Sequence, residues 1–509
     1  MNKVQHCIGL FNFNRKQLIF GNGCVIIDGK MRRFRKTTLI AVLCLAILGG
    51  LGLARKVNFI PPIWLGLLLP ITLLLKKKNL TSLILALSIG LGLGLWRGGI
   101  YMQNVYQLRG LTAHKVTIEA TATSDAVYST RSQIEFIANQ AVLAGAQPKL
   151  LAGNFKISGF GVPMIYRGDR VQVSGKLFPM RGSNQARIAY AQLERLSAGQ
   201  IALNDFTRKF DAGMQTALPE PQASFGLGLL IGQRTTLPKD ITAALTAVGL
   251  VHIVAVSGYN LTILVRGVGR LKLGSKYQKL ITSLGLIIGF VLITGFSASI
   301  VRAALVSILS LWAWYYGRRI KPVVLISFAA AVTGLWNPFY VWGDLGWYLS
   351  FLAFFGVLVI APLIAARFFS RQPKLLTMVL LETLSAEIMT LPLILMTFSQ
   401  LSIVALVANL LVVPLVPLAM LFAAAAGLAG AFVPAVAGWL AFPAKLLLTY
   451  MLDIVHMLSN VPSALIHRSI NTVYMLAFYT LVILVVVVLR KKLPGKTTSY
   501  QDEPSAITP

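Results

Sequence analysis

The chain has 509 residues, 56% hydrophobic and only 12% charged, with a formal net charge of +31. A soluble domain carries roughly 25% charged residues, so the composition excludes a soluble enzyme, and recurrent apolar stretches of spanning length make this a polytopic membrane protein. Much of the positive charge is expected in cytoplasmic loops, and the excess also favours a polyanionic partner.

Residues 1–30 read as an extension outside the native protein. Met31, followed by Arg32, Arg33, Arg35 and Lys36 and an apolar run over 38–54, makes a better membrane N-terminus, and translation is expected to begin there. That start could be a signal peptide; an anchor is preferred because further spans follow at once. Residues 31–104 hold three spans, near 38–54, 59–75 and 80–98. The basic start and Lys76, Lys77 and Lys78 place the N-terminus in the cytoplasm and bring the third span out on the far face. Cys7, Cys24 and Cys44 form no CxxC pair and are expected to be incidental thiols.

Residues 105–205 alternate with period two in KVTIEAT (115–121), QIEFIA (133–138) and DRVQVSGKL (169–177), which predicts short strands in a small all-β, extracytoplasmic domain. Its basic excess fits either single-strand binding, as in oligonucleotide-binding barrels, or a lid with a solvated basic face. Residues 206–250 are expected to form short amphipathic, interfacial helices, with 225–230 apolar enough to lie in or on the interface. Over 251–492 the bundle resumes, with spans near 249–268, 278–296, 299–317, 321–337, 345–368, 374–398, 400–427, 432–457 and 471–490. Residues 493–509 read as a disordered cytoplasmic tail. The fold class is thus a polytopic α-helical membrane protein of about 11–12 spans with a small extracytoplasmic β-domain.

Polar groups inside the apolar stretches are the candidates for function, because they are costly in lipid. His252, Ser257 and Asn260 lie in HIVAVSGYNL (252–261), and Ser257-Gly258 suggests a broken span. The favoured reading is a polar pore lining or hinge. A serine hydrolase using Ser257 is a rival, weakened because His252 lies about 140° away on a regular helix. Arg302, with Ser297 and Ser299 a turn earlier, reads as an anion-facing charge or as half of an internal ion pair. Asp344 is expected to cap the following helix and could also pair with Arg302. Glu382 and Glu387 should point inward, Asn409 should make a polar interhelical contact, and Asp453 and His456 share a helix face. Gly495-Lys496-Thr497 lacks the first glycine of a P-loop, and no HExxH zinc motif occurs.

These motifs resemble the ComEC competence proteins. The resemblance runs over roughly 105–425, through VGLVHIVAVSGYN (248–260), GFSASIVRA (295–303), DLGWYLSF (344–351), NLLVVPLVPL (409–418) and, in the β-domain, YRGDRVQVSGKL (166–177). It implies an OB-like outer domain and a multi-span domain forming a channel component that passes single-stranded DNA across the bacterial cytoplasmic membrane during natural transformation. Both termini would be cytoplasmic and the β-domain outside.

By position, His252, Ser257, Gly258, Ser299, Arg302, Asp344, Ser350 and Asn409 fall on family motif residues, with Asn260 standing where many members have a second histidine. Lys156, Arg167, Arg170, Lys176 and Arg181 are the outer-domain candidates for DNA. Many members carry a C-terminal metallo-β-lactamase-like domain that is not seen in this sequence. The chain is therefore expected to be no enzyme, to need no cofactor or metal, and to rely on a cytoplasmic ATPase or helicase motor, an outer DNA receptor or pilus machinery and a separate nuclease; a homo-oligomer is left open. A transporter of a smaller anion is the remaining rival.

Overall fold

The computed structural model describes residues 36–57, 80–128, 133–144, 149–151, 153–160, 165–179, 184–199, 202–232, 237–254, 261, 265, 268, 275–294, 298–318, 321–369, 373 and 375–492. Helices α1 (Lys36–Ala54) and α2 (Leu80–Arg109) form a close pair. A methyl added at Gly94 would sit 2.2 Å from the Ile47 carbonyl, so the bare glycine is what lets the backbones touch. The expected span at 59–75 lies outside the described residues. The third span was expected to end near 98, but the helix continues to Arg109. Met102, Gln103, Gln107, Leu108 and Arg109 favour helix, and Met102 and Leu108 are buried, so the helix continues where the continuous apolar run stops.

α2 feeds a β-domain whose interior includes Val116, Ile118, Phe136, Val171, Val173 and Leu177, the inward members of the expected alternation, together with Phe155, Ile157 and Ile188 from strands outside those segments. Its strands are β1 (Lys115–Ala122), β2 (Val127–Tyr128), β3 (Ile134–Leu143), β4 (Lys149–Leu151), β5 (Phe155–Phe160), β6 (Arg170–Pro179) and β7 (Ala186–Ser197). β1 pairs with both β6 and β3, β3 with β5, β5 with β7 and β7 with β6. Five strands therefore close on themselves, and β5–β7 is the parallel pair in the ring. β2 and β4 are short additions to β3. Asp169, almost fully buried, holds one end together: it accepts from the backbone of Tyr166 and Gly199 and pairs with Arg195 at 3.0 Å.

Beyond the barrel come α3 (Ala202–Ala217), α4 (Gln222–Ile231), α5 (Lys239–Ala247) and the single turn α6 (Val251–Val254). α3 is strongly amphipathic, as expected. Its apolar face meets a later helix, α15 (Val416–Phe432), so closely that a methyl on Gly430 would lie 1.9 Å from the Gly213 carbonyl. α4 corrects the interfacial expectation: Ala223 to Leu229 are all buried, because α4 is apolar all round and is enclosed by α3, α15 and α16 (Pro434–Ser459).

The bundle continues with α7 (Lys276–Thr294), α8 (Ala298–Tyr315), α9 (Pro322–Trp336), α10 (Phe339–Gly343) and α11 (Leu345–Phe355). A π-helical turn over Gly356–Ile360 joins α11 to α12 (Ala361–Phe368), followed by α13 (Leu375–Phe398). The expected span near 400–427 is present as one apolar stretch over Ala405–Phe432, in which helix α14 (Ala405–Val412) runs through a tight turn at Val413–Leu415 into α15; only its first residues differ, forming a short strand β8 (Gln400–Ser402). Pro414 and Pro417 remove backbone donors at the turn. β8 pairs with β9 (Leu465–His467) after α16, and α17 (Thr472–Lys492) follows. Among the described residues seven helical stretches are long and apolar enough to cross a membrane, and three shorter apolar helices accompany them. The protein is a multi-pass membrane protein.

Candidate functional site

Arg302 of α8 and Asp344 come together at the N-terminus of α11. Asp344 is its N-cap: Oδ1 accepts from the Trp347 amide at 2.9 Å, as the sequence predicts. Arg302, on the second turn of α8, is only 1% exposed. It is not ion-paired with Asp344 among the described residues. Its Nη2 instead donates to the Gly346 carbonyl at 3.0 Å, because the Asp344 carboxylate is turned toward its own helix amides. Nε and Nη1 of Arg302 are buried without a hydrogen-bond partner. The guanidinium lies 5.8 Å from the centre of the Phe351 ring, which is edge-packed on Trp347. Trp347 Nε1 donates to the buried Thr333 hydroxyl on α9 at 3.0 Å, which locks the floor of the site. Ser299 is half-buried on the first turn of α8. Ser350, also half-buried, is four residues beyond Gly346 on the same face of α11.

A buried cation with two unsatisfied donors is costly unless an acceptor visits it. Those two nitrogens are hydrogen-bonding capacity that the bond to Gly346 leaves unused.

A second polar contact joins α13 to α14. Asn409 Nδ2 donates to Glu387 Oε1, which pairs two residues the sequence singled out separately. Asn409 Oδ1 and the nearby Ser385 hydroxyl are buried without partners. Ser385 sits where α13 meets the π-turn: a methyl on Gly356 would come within 2.4 Å of the Ser385 carbonyl.

His252 stands apart from both groups, exposed on α6 with Nδ1 3.0 Å from the Gly249 carbonyl. Gly249 has φ +75° and leaves no room for a side chain beside Ala405. Ser257, Gly258 and Asn260 lie outside the described residues, so the constellation is visible only at its histidine end.

On the barrel the five cationic candidates fare differently. Lys156 is bound to Glu135 at 2.8 Å, and Arg187 completes that cluster. Arg167 ties the barrel to the bundle, its Nη1 donating to the Leu292 carbonyl of α7 at 3.0 Å. Arg170 is 3.9 Å from Glu119, and Arg181 lies outside the described residues. Lys176 is exposed and stands directly across from Lys115, a residue the sequence reading did not single out. Phe178, two positions along the same outer face, and Tyr190, 63% exposed, flank this pair. Only the register of β1 on β6 reveals the pair, since 61 positions separate the two lysines.

The sequence matches the family described as "Competence protein" over residues 229–492. It is 28% identical over 213 residues to ComE operon protein 3 of Bacillus subtilis (strain 168). That alignment covers 41% of this chain and 27% of the relative, so it spans about a quarter of the relative's length. No solved structure shows a significant match. The match takes in the helices that carry Arg302, Asp344, Ser350, Glu387 and Asn409, and on it the chain belongs to the competence protein family.

Proposed function

We propose that this protein is a channel component, rather than an enzyme, that passes single-stranded DNA across the bacterial cytoplasmic membrane during natural transformation. The observation that carries the reading is the family match over the helical half of the chain. The geometry supports it in two places. The β-domain closes five strands in a ring with one parallel pair, in keeping with an oligonucleotide-binding barrel. Lys115 and Lys176, beside Phe178 and Tyr190, supply cations and ring faces of the kind that hold a single strand. In the bundle, Arg302 holds a buried positive charge with two donors that the fold leaves unused.

In this reading the barrel is outside and both termini are cytoplasmic. A cytoplasmic ATPase or helicase pulls the strand, an outer receptor or pilus delivers it, and a separate nuclease removes its complement. Transformation by linear marker DNA tests the reading in a deletion strain complemented with wild type or Arg302→Ala. Loss on deletion, restored by wild type alone, is expected. Undiminished transformation after deletion in a competent host overturns the channel role.

A further inference from the structure

α16 is a 26-residue candidate span whose packed face is Ala437, Ala441, Ala444, Leu448, Met451, Leu452 and Val455. Lys445, Asp453 and His456 on the same helix are exposed. At about 100° per residue they fall with Thr449 within an arc of about 80°. That arc borders the packed face on one side and the apolar exposed flank of Trp439, Leu446 and Met457 on the other, and beyond Lys445 it ends at the exposed Phe442. Lys445 is 11 residues from one end of the helix and 14 from the other, about 17 and 21 Å at the helical rise. Its side chain cannot snorkel that far. No described residue forms an ion pair with Lys445, Asp453 or His456. Beside them, Gln222 of α4 donates to Thr449 Oγ1 at 2.9 Å, while its own Oε1 is buried with no hydrogen-bond partner.

A lysine at mid-depth, an aspartate and a histidine on one edge of a span are not compatible with contact to lipid tails. We propose that this edge of α16 lines a water-filled groove that enters from the His456 end, reaches mid-depth at Lys445 and holds an oxyanion of phosphate type there. The identity of that anion as a phosphodiester rests on the function proposed above; the groove does not. Water in it solvates Lys445 and Asp453.

Cysteine accessibility in the full chain tests this, in a background with Cys7→Ser, Cys24→Ser and Cys44→Ala. Lys445→Cys, Thr449→Cys and Asp453→Cys are compared with Leu446→Cys on the lipid-facing flank, using membrane-impermeant anionic and cationic methanethiosulfonates on vesicles of each orientation. The three groove positions are expected to react at least about tenfold faster than Leu446→Cys, and from one side only, because a thiolate forms in water and not in hydrocarbon. At Thr449→Cys, a near-isosteric change that reports even where Lys445→Cys fails to insert, the anionic reagent should be preferred. Adding Lys445→Gln should lower that preference about tenfold. Rates at the three positions no faster than at Leu446→Cys overturn the groove. A reagent preference that ignores Lys445→Gln overturns the anion site. Reactive groove positions in a protein that transformation does not need would leave the groove standing and the proposed function refuted.

Discussion

Arg302 and Asp344 show how a buried polar residue divides its work between holding the fold and meeting a ligand. The cap function of Asp344 is satisfied by the carboxylate oxygen on the Trp347 amide. Asp344→Asn should therefore retain stability, and Asp344→Ala should lower it by about 1 kcal/mol in thermal unfolding of the detergent-solubilised protein. Arg302 uses one of its nitrogens on Gly346 and leaves two free. If the guanidinium is only a strut, a lysine that reaches the same carbonyl should replace it. If it meets a phosphate through its fork, Arg302→Lys should reduce transformation at least roughly tenfold at an unchanged membrane level. Outside the candidate spanning helices, burial pushes the Asp211 carboxyl up to about 6, and the nearby Asp125 carboxylate adds to the shift. Proton uptake is thus favoured in the folded protein. The stability contributed by the neutral acid is present below the ordinary aspartate range and is lost as pH rises through about 6. Asp211→Asn should accordingly raise the melting temperature at pH 7.5 and leave it nearly unchanged at pH 4, as scanning calorimetry at the two pH values would read.

At the scale of elements, close helix contacts rather than long apolar faces decide how the bundle is assembled. Gly430 of α15 lies so near Gly213 of α3 that Gly430→Ala must push the helices apart, at a cost of about 1–3 kcal/mol. Gly438 of α16 has open space around its α-carbon, so Gly438→Ala should instead leave stability unchanged or raise it by up to about 1 kcal/mol. A pair of denaturation curves showing equal effects would remove the packing argument. The contrast also marks what was legible in the sequence. The alternation of KVTIEAT predicts β1, and its burial follows that period, because a strand's inner and outer faces are local properties. The depth of Arg302 and the cap of Asp344 are local as well. The acceptor of Arg302 was not legible, since a backbone carbonyl has no sequence signature. Ring closure of the barrel, the enclosure of α4 and the pairing of Glu387 with Asn409 all depend on contacts between distant segments. The break between α14 and α15 was readable from Pro414 and Pro417, but the continuous apolarity of the stretch masked it.

For the whole molecule, the question is what a net charge of +31 is for, given that some of the cations already join the barrel to the bundle. Arg167 reaches the Leu292 carbonyl, Arg208 lies 3.7 Å over the Tyr166 ring, and Asp211 faces Asp125, so α3 and the end of α7 seat the barrel. Cations used in that joint are not free for a ligand, and Lys156 is similarly engaged by Glu135. Lys115 and Lys176 are different, because they oppose each other across β1 and β6, an arrangement that costs roughly 0.2–1 kcal/mol in a sheet. A structural role would make their removal destabilising. A binding role makes the opposite pattern: the double substitution Lys115→Gln, Lys176→Gln should keep or slightly raise the melting temperature while weakening the capture of a thymidine oligonucleotide. Each phosphate contact on a single strand contributes about 0.7 to the slope of log affinity against log salt. Loss of two contacts should therefore flatten that slope by about 1.4 for the purified full-length protein, as measured by anisotropy across a salt series. Unchanged slope and affinity would place the strand elsewhere on the barrel, whereas a flattened slope with intact stability would assign this pair to the strand's backbone and leave Tyr190 and Phe178 as the faces on which its bases stack.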